Sequence, residues 1–137
     1  MKHYVLDACA LIALLRNEAG ADKVAEAMDE ASNGEAKIAM NKINLLEVYY
    51  DAYRMYGKEQ ADRMLTEFKK TPCAINAEIS DKLFELAGRM KATYRISLAD
   101  AIALAEATIS HGVLLTADHH EMDVIEKKEK IAFLWIR

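Results

Sequence analysis

Short, strongly apolar runs alternate with segments of helical periodicity along the whole chain, and this alternation limits the fold more than any other feature. The runs YVLDA, KIAM, VLLTAD and IAFLWI are short and rich in residues that favour strands, and CAIN is a weaker example. Their lack of apolar and polar alternation is typical of strands buried on both faces. Strands that alternate with helices in this way predict an α/β fold with a mainly parallel central sheet.

Helix start and stop signals divide the segments between these runs. A helix often begins after a residue whose side chain accepts a hydrogen bond from the first turn, and it often ends at glycine, which tolerates the left-handed backbone that closes the last turn. On these signals we predict helices over LIALLRNEAG up to Gly20, ADKVAEAMDEASNG up to Gly34, Asn41 or Asn44 to Gly57, KEQADRMLTEFKK, SDKLFELAGRMKATY, SLADAIALAEATISHG from Ser97 to Gly112, and EMDVIEKKEK.

The chain has 137 residues with five glycines and one proline, and nothing in it resembles a linker or a repeat. This length fits the prior of roughly 100 to 200 residues for one domain, so a single domain over residues 1–137 is predicted. Cys9 and Cys73 are too few for a cysteine-based zinc site and are expected to be small buried thiols. No apolar run approaches a membrane span and no signal-peptide cleavage site is evident, so a cytoplasmic protein is expected.

Four acidic residues interrupt strongly apolar segments, whereas most other acids lie on helix faces with a solvated pattern. Asp7 and Asp118 follow predicted strands, and the carboxyl ends of parallel strands form the edge at which open α/β sheets bind ligands. Glu47 and Asp100 lie within about two turns of a predicted helix N-terminus, where the helix dipole favours a negative charge. We therefore expect these four carboxylates to converge on one cleft.

Three of the four acids also have a purely structural interpretation. Asp100 can be the reciprocal partner of Ser97 in a capping box, and Glu47 stands in the same relation to Asn44. Asp118 can simply begin a turn before the two histidines. Taken singly, these three acids remain open to either interpretation.

Asp7 is harder to explain by local structure, because the segment HYVLDACALIALL continues apolar after it. No Lys or Arg lies between Lys2 and Arg16, and a buried carboxylate is costly unless it is paired, hydrogen-bonded or bound to a metal. Carboxylates that crowd together raise one another's pKa unless cations lie between them. An all-oxygen site suits Mg²⁺ or Mn²⁺ rather than zinc, and carboxylate-held Mg²⁺ readily takes phosphate oxygens. The predicted chemistry is hydrolysis of a phosphodiester.

The charge of the chain agrees with a local anionic site. The formal net charge is −4, so the four acids account for the whole excess. An acidic total argues against a general basic coat for nucleic acid. Without metal the cleft would repel RNA or DNA, so a divalent ion should be needed for substrate binding as well as for chemistry.

The ordered set LDACALIALL, NKINLLEVYY, SLADAIALAEA and LLTADHHEMD resembles the PIN-domain family, especially the VapC-type toxins of toxin–antitoxin pairs. The resemblance spans practically the whole chain and lies in the order of the motifs. It implies a three-layer α/β fold with a parallel sheet flanked by helices, and metal-dependent endoribonuclease activity with one or two Mg²⁺ or Mn²⁺ ions. Carried over by position, the metal-binding and catalytic acids are Asp7, Glu47, Asp100 and Asp118.

The resemblance also implies two neighbouring roles. Thr116 matches a position where the family often has Thr or Ser that orients the metal-binding acids, although a hydroxyl at a strand end is ordinary. Asp123 can be an outer acid of the site or simply a favourable acid in a first helical turn. Cys9 stands where many relatives have Ser or Thr, and a thiol is a poorer hydrogen-bond partner, so its supporting role is in doubt. His119 and His120 are predicted to be surface residues.

RNA must be held by local positive charge despite the acidic total. Residues near the predicted helices of Glu47 and Asp100 are candidates for this contact, although solvated helix faces explain many such cations equally well. The candidates are Lys42, Arg89, Lys91 and Arg95. Tyr49, Tyr53 and Tyr56 form a stripe at helical spacing that fits either the core or a groove for a partner.

Together the motifs predict a PIN-type ribonuclease that acts as a toxin, forms a homodimer and is inhibited by a cognate antitoxin, as the resemblance implies. A PIN nuclease for RNA maturation or for DNA, and an inactive PIN interaction module, are the alternatives. A phosphoacceptor receiver with an acidic pocket fits less well, because its paired N-terminal acids and late lysine are not evident.

Overall fold

The computed structural model describes residues 1–137 and contains five strands and seven helices in α/β alternation. The strands are β1 (Lys2–Leu6), β2 (Ala36–Asn41), β3 (Ala74–Asn76), β4 (Val113–Thr116) and β5 (Ala132–Trp135). The helices are α1 (Ala8–Leu15), α2 (Ala21–Ser32), α3 (Lys42–Tyr56), α4 (Lys58–Phe68), α5 (Asp81–Thr93), α6 (Leu98–Ser110) and α7 (His119–Lys128). Every strand predicted from the sequence is present, including the weak run that forms β3.

The sheet is entirely parallel, with the strand order β3-β2-β1-β4-β5. The chain builds outward from β1 to β3 on one side and then returns to place β4 and β5 on the other side. The order therefore reverses between β1 and β4. In open parallel sheets the crevice beyond the carboxyl ends of the strands at such a reversal is the usual ligand site.

Helices cover both faces of the sheet. The sheet separates two apolar cores, one under each layer of helices. On one face Leu6, Ile38 and Leu115 pack against residues of α1 to α4, among them Leu11 and Val24. On the other face Val5 and Leu114 pack against residues of α5, α6 and α7. Because apolar burial stabilises the fold from both sides of the sheet, the central stretches of the strands are apolar, whereas strand residues such as Lys2 and Lys37 are exposed. The predicted three-layer α/β fold is confirmed.

The first helix ends earlier than the sequence pattern predicts. α1 stops at Leu15, and Asn17 adopts a left-handed backbone with φ of 51° while the Glu18 N–H bonds back to the Ala13 carbonyl. Gly20 does not end this helix but precedes α2, with φ of 95°. A β-carbon at Gly20 would lie 2.5 Å from the carbonyl oxygen of Ile136, the residue after β5, so this close contact requires glycine.

The structure also decides which asparagine begins α3. Asn41 is the cap, because its side chain accepts a hydrogen bond of 2.9 Å from the Ile43 N–H. Asn44 is fully buried instead and donates from Nδ2 to the Ala99 carbonyl at 2.9 Å. None of the helices combines the length and the apolar character that crossing a bilayer requires.

Candidate metal centre

An acidic cleft of about 290 Å³ opens where the order of the strands reverses. It collects side chains from the ends of β1 and β4 and from the first turns of α6 and α7, with α3 forming one wall. All four acids predicted from the sequence line it, together with two others. The acids that line the cleft are Asp7, Glu47, Asp51, Asp100, Asp118 and Glu121.

Asp7 connects β1 to α1 and is only 1% exposed. Its Oδ1 accepts a hydrogen bond of 2.9 Å from the Ala10 N–H, so it is the N-cap of α1. Burial raises the pKa of this carboxyl, although the Thr116 hydroxyl and the Ala10 N–H favour its charged form. The residue therefore has a structural contact that the sequence pattern did not reveal, in addition to its place at the cleft.

Asp118 lies in the turn after β4 and caps α7 by accepting from the Glu121 N–H at 3.3 Å. The buried Thr116 hydroxyl accepts from the Asp118 N–H at 3.1 Å and so fixes this turn. Cys9 Sγ accepts from the Ala117 N–H at 3.2 Å and lies 3.7 Å from Asp7 Oδ2. Thr116 and Cys9 thus join the two turns that carry Asp7 and Asp118, and the thiol takes part despite its weaker hydrogen bonds.

Three carboxylates form the tightest group in the cleft. Oxygen atoms of Asp100, Asp118 and Glu121 all lie within 4.8 Å of one another. Ser97 caps α6 by accepting from the Asp100 N–H at 3.1 Å, but no hydrogen bond returns from the Ser97 N–H to the Asp100 carboxylate. Asp100 is therefore not a capping-box partner, and its side chain is free to face the other acids.

Glu121 was missed in the sequence prediction. It follows Asp118 by three residues, which places both on the same side of the first turn of α7. That spacing is the signal that could have identified it, but the fragment HHEMD reads equally well as a solvated helix start. Its Oε2 atom is buried without a hydrogen-bond partner. A buried carboxylate oxygen without a partner requires a ligand or a proton.

Glu47 projects from the second turn of α3 toward the same cleft and is half-buried. Asn44, one turn earlier, holds α3 against the start of α6 through its bond to the Ala99 carbonyl, immediately before Asp100. Asn44 is therefore not the cap that would make Glu47 a capping partner. Burial raises the pKa of Glu47, and the nearby charge of Asp7 adds to this effect.

The acids of the cleft destabilise one another's charged forms. Burial, followed by a hydrogen bond with Glu121 and the charge of Asp7, raises the pKa of Asp100 to about 8. Asp51 differs, because it forms an ion pair with Arg16 and lies 3.6 Å from the guanidinium of Arg54. The cation beside it makes Asp51 a poor ligand for a metal, and the remaining acids lack such a partner.

The exposed residues after Asp118 do not join the cleft. His119 stacks on Trp135 with ring centroids 3.8 Å apart, and its Nδ1 lies 2.8 Å from Asp123. Asp123 is exposed and lies outside the acidic cleft, so the structure does not bring it to the other acids. His120 is exposed as well.

The four cations predicted to contact RNA lie outside the acidic cleft. Lys42 and Lys91 are exposed, whereas Arg89 forms two hydrogen bonds to Glu129 at 2.8 and 3.3 Å. The Glu129 carboxylate therefore takes up the donors of the Arg89 guanidinium that an RNA phosphate would need. Arg95 lies in a neighbouring groove together with Glu121.

The donor set fits a hard divalent cation. It consists of carboxylate oxygens without His or Cys ligands, and it includes the partnerless Glu121 Oε2 beside Asp100 and Asp118. Mg²⁺ and Mn²⁺ prefer such ligands. Burial raises the pKa of Asp100 most and the neighbouring carboxylates add to it, so a divalent ion that neutralised their repulsion would favour the charged form of Asp100.

Comparisons with solved structures agree with this architecture. A toxin–antitoxin complex from Klebsiella pneumoniae contains a chain with a TM-score of 0.71 and 21% identity over 98% of both chains. VapBC-1 from nontypeable Haemophilus influenzae gives a TM-score of 0.72 and 17% identity over 98% of both chains. VapBC2 from Rickettsia felis, bound to a promoter DNA fragment, gives 0.74 and 19% over 96% of this chain and 97% of that one.

Sequence comparison identifies the family directly. No curated protein matches the chain in sequence. The sequence profile of the PIN domain, however, matches residues 4–128, which include all the acids of the cleft. The chain belongs to the PIN domain family.

Proposed function

We propose that the chain is a metal-dependent endoribonuclease that hydrolyses RNA phosphodiester bonds and acts as the toxin of a toxin–antitoxin pair. The observation that carries this proposal is the convergence of Asp7, Glu47, Asp100, Asp118 and Glu121 on one cleft. Cations approach only Asp51 in that cleft. Such a site attracts divalent ions and, through them, phosphate oxygens. Membership of the PIN family supports nuclease chemistry at this site.

Asp100, Asp118 and Glu121 would hold a first Mg²⁺ or Mn²⁺ ion, since their oxygens lie within 4.8 Å of one another. Asp7 and Glu47 line the same cleft and would complete this site or contribute to a second one. The bound ion supplies a water of lowered pKa and stabilises negative charge on the phosphate oxygens. RNA is the proposed substrate, attacked in line to leave a 5′-phosphate.

The chain's own residues contribute position and charge. Thr116 and Cys9 hold the turn after β4 against the start of α1, so Asp7 and Asp118 keep a fixed separation. Asn44 does the same for the helices of Glu47 and Asp100. A site held in this way loses little free energy to reorganisation when substrate binds. Without a cation, the same acids repel the phosphate groups of RNA.

The test is cleavage of a mixed RNA pool by the purified protein with Mg²⁺, with Mn²⁺ and with EDTA. We expect cleavage with either ion and none with EDTA, and the 5′ ends of the products should be ligatable as monophosphates. Cleavage that persists in EDTA would contradict the metal mechanism. Cleavage of DNA alone would favour the DNA-acting alternative, and no cleavage with either ion would favour an inactive interaction module.

Replacement of Glu121 with Gln is expected to weaken Mn²⁺ binding by about 10-fold to 100-fold, because Gln keeps the shape but removes one anionic ligand. Isothermal titration calorimetry of the metal-free protein measures this change. The matched control is Glu126→Gln, which removes an exposed acid from the same helix. Equal Mn²⁺ affinity in wild type and Glu121→Gln would exclude Glu121 from the metal site.

The proposal includes an antitoxin that covers an apolar groove beside the cleft. This groove of about 720 Å³ lies between α1, α3 and α4, and Leu15, Tyr56 and Met64 contribute to its wall. Tyr56 is 56% exposed, so the tyrosine stripe of α3 turns outward at its end. Exposed apolar side chains in a groove are typical of a site for an amphipathic partner segment. The structural neighbours are themselves toxin–antitoxin complexes, which supports this partner.

We extend the proposal to a homodimer in the cytoplasm, where the RNA substrate lies. Phe84 on α5 is 73% exposed and Leu98 at the start of α6 is 60% exposed, and these two helices pack together. Large exposed apolar side chains favour association with a second copy. A neighbouring gene for a small DNA-binding protein would support the toxin role over RNA maturation.

A further inference from the structure

A second groove of about 400 Å³ lies beside the acidic cleft and shares Glu121 with it. We propose that this groove, which we call the α7 groove, binds the phosphate backbone of the RNA strand next to the bond that is cut. Its defining residues are Arg95, His120, Glu121, Val124 and Lys128. The inference rests on the proposed function and names the path of its substrate.

The groove is formed by one face of α7 opposite the connection between α5 and α6. His120, Val124 and Lys128 follow one another at intervals of four residues, so they lie in a row along α7. At about 1.5 Å per residue this row extends roughly 12 Å along the helix axis. Arg95 faces the row from the connection that leads to Ser97, the cap of α6. The groove is therefore elongated and leads away from the metal-binding acids.

The cations of the α7 groove are free to bind a ligand. Arg95 and Lys128 are both exposed, and neither forms an ion pair or a side-chain hydrogen bond with the protein. Arg89, by contrast, is held by Glu129 at 2.8 Å. An unpaired guanidinium and an unpaired ammonium on one groove match the phosphate oxygens of a nucleic-acid backbone.

The composition of the groove favours single-stranded RNA over a small anion. Val124 is 51% exposed and offers an apolar surface between the cations, where a ribose or a base can pack. His120 adds a hydrogen-bonding imidazole at the end nearest the cleft. A strand that lies in the groove and continues past Glu121 would enter the acidic cleft. The chain as a whole has a net charge of −4 and so does not attract RNA. Cations in this groove supply a local attraction that offsets the repulsion between the acidic cleft and RNA.

The test compares RNA binding by two variants of a catalytically inactive protein. Asp100→Asn serves as the common background, so that a fluorescein-labelled single-stranded RNA stays intact in Mg²⁺. The double substitution Arg95→Gln and Lys128→Gln is added to one form. The control form instead carries Lys37→Gln and Lys69→Gln, which remove two exposed and unpaired cations that line neither the cleft nor the α7 groove.

Fluorescence anisotropy across a salt series gives the dissociation constant and its salt dependence. We expect the groove form to bind about 10-fold more weakly, with the slope of log K against log salt smaller in magnitude by about 1.4 for two lost phosphate contacts. The control form should match the background protein. An unchanged affinity and slope in the groove form, or an equal loss in the control form, would overturn the proposal. So would a failure of both the background protein and the wild-type chain to bind the RNA.

A separate measurement distinguishes this inference from the proposed function. RNA cleavage by the wild-type chain with Mg²⁺ tests the nuclease directly and does not depend on the groove. Active wild-type enzyme with an unchanged groove form would refute the groove alone. Inactive wild-type protein together with groove-dependent RNA binding would refute the nuclease and leave the RNA path supported. Equal melting temperatures of the forms ensure that the substitutions do not act through folding.

Discussion

Substitution of Asp7 by Asn is expected to lower RNA cleavage by about 1,000-fold or more, equivalent to several kcal/mol of lost transition-state stabilisation. The metal-free protein should be as stable as wild type or more stable. Asp7 is 1% exposed and shares the cleft with Asp118 and Glu47, so its charge is unfavourable without a cation. Asn removes that charge and keeps an oxygen at the same place.

The N-cap contact of Asp7 separates two effects of its carboxylate: the charge and the hydrogen-bond acceptor. Asp7 Oδ1 accepts from the Ala10 N–H at 2.9 Å, and Asn is as good a cap as Asp. Asp7→Ala removes the acceptor as well as the charge and should be less stable than Asp7→Asn by about 1 kcal/mol. Chemical denaturation in EDTA measures both variants, and cleavage with Mg²⁺ measures activity.

Asp22→Asn is the matched control, because Asp22 is an exposed acid in the first turn of α2 and does not line the cleft. It should leave activity unchanged and lower stability by about 0.5 kcal/mol at most, through the lost interaction with the helix dipole. If Asp7→Asn were as destabilised as Asp7→Ala while its Mn²⁺ affinity stayed at the wild-type level, the carboxylate would act as a structural hydrogen-bond acceptor. The metal-binding role of Asp7 would then be wrong.

The fold was predictable because the central strands β1 and β4 are buried along most of their length and so carry apolar runs. That pattern survives in a single sequence, and it placed β1 and β4 correctly. Acids that end such runs stand out for the same reason, since a charge at the end of a buried strand has few explanations. Asp7 and Asp118 were identified on this basis, and both line the cleft.

Glu121 and the α7 groove were not predictable by the same reasoning. A helix that is exposed on one face carries many acids and cations, and the sequence does not say which of them face a cleft. Glu121 and Glu126 look alike in the sequence, yet only Glu121 faces Asp100. The cap of α3 was ambiguous because Asn41 and Asn44 both fit, and only packing against α6 decided between them.

The metal-free protein is expected to lose stability as the pH rises from about 4 to about 8. Asp100 has a pKa of about 8 in the folded protein against 3.8 ordinarily, so folding favours its protonated form. A raised folded-state pKa contributes stability below the ordinary pKa, and this contribution is lost as the pH rises through the folded value. We expect a loss of about 2 kcal/mol, less than the full shift implies because water still reaches the cleft.

Thermal denaturation in EDTA from pH 4 to pH 8.5 measures this loss, which corresponds to about 6 °C in Tm for a chain of this size. Asp100→Asn should reduce the fall markedly, whereas His119 titrates in both proteins and so does not affect the comparison. Because the ion binds deprotonated carboxylates, Mn²⁺ should raise the Tm of wild type at pH 8 and have little effect at pH 5. Equal pH profiles for wild type and Asp100→Asn would show that Asp100 does not carry the repulsion of the cleft. The metal ion would then have to be bound mainly by the other acids of the cleft.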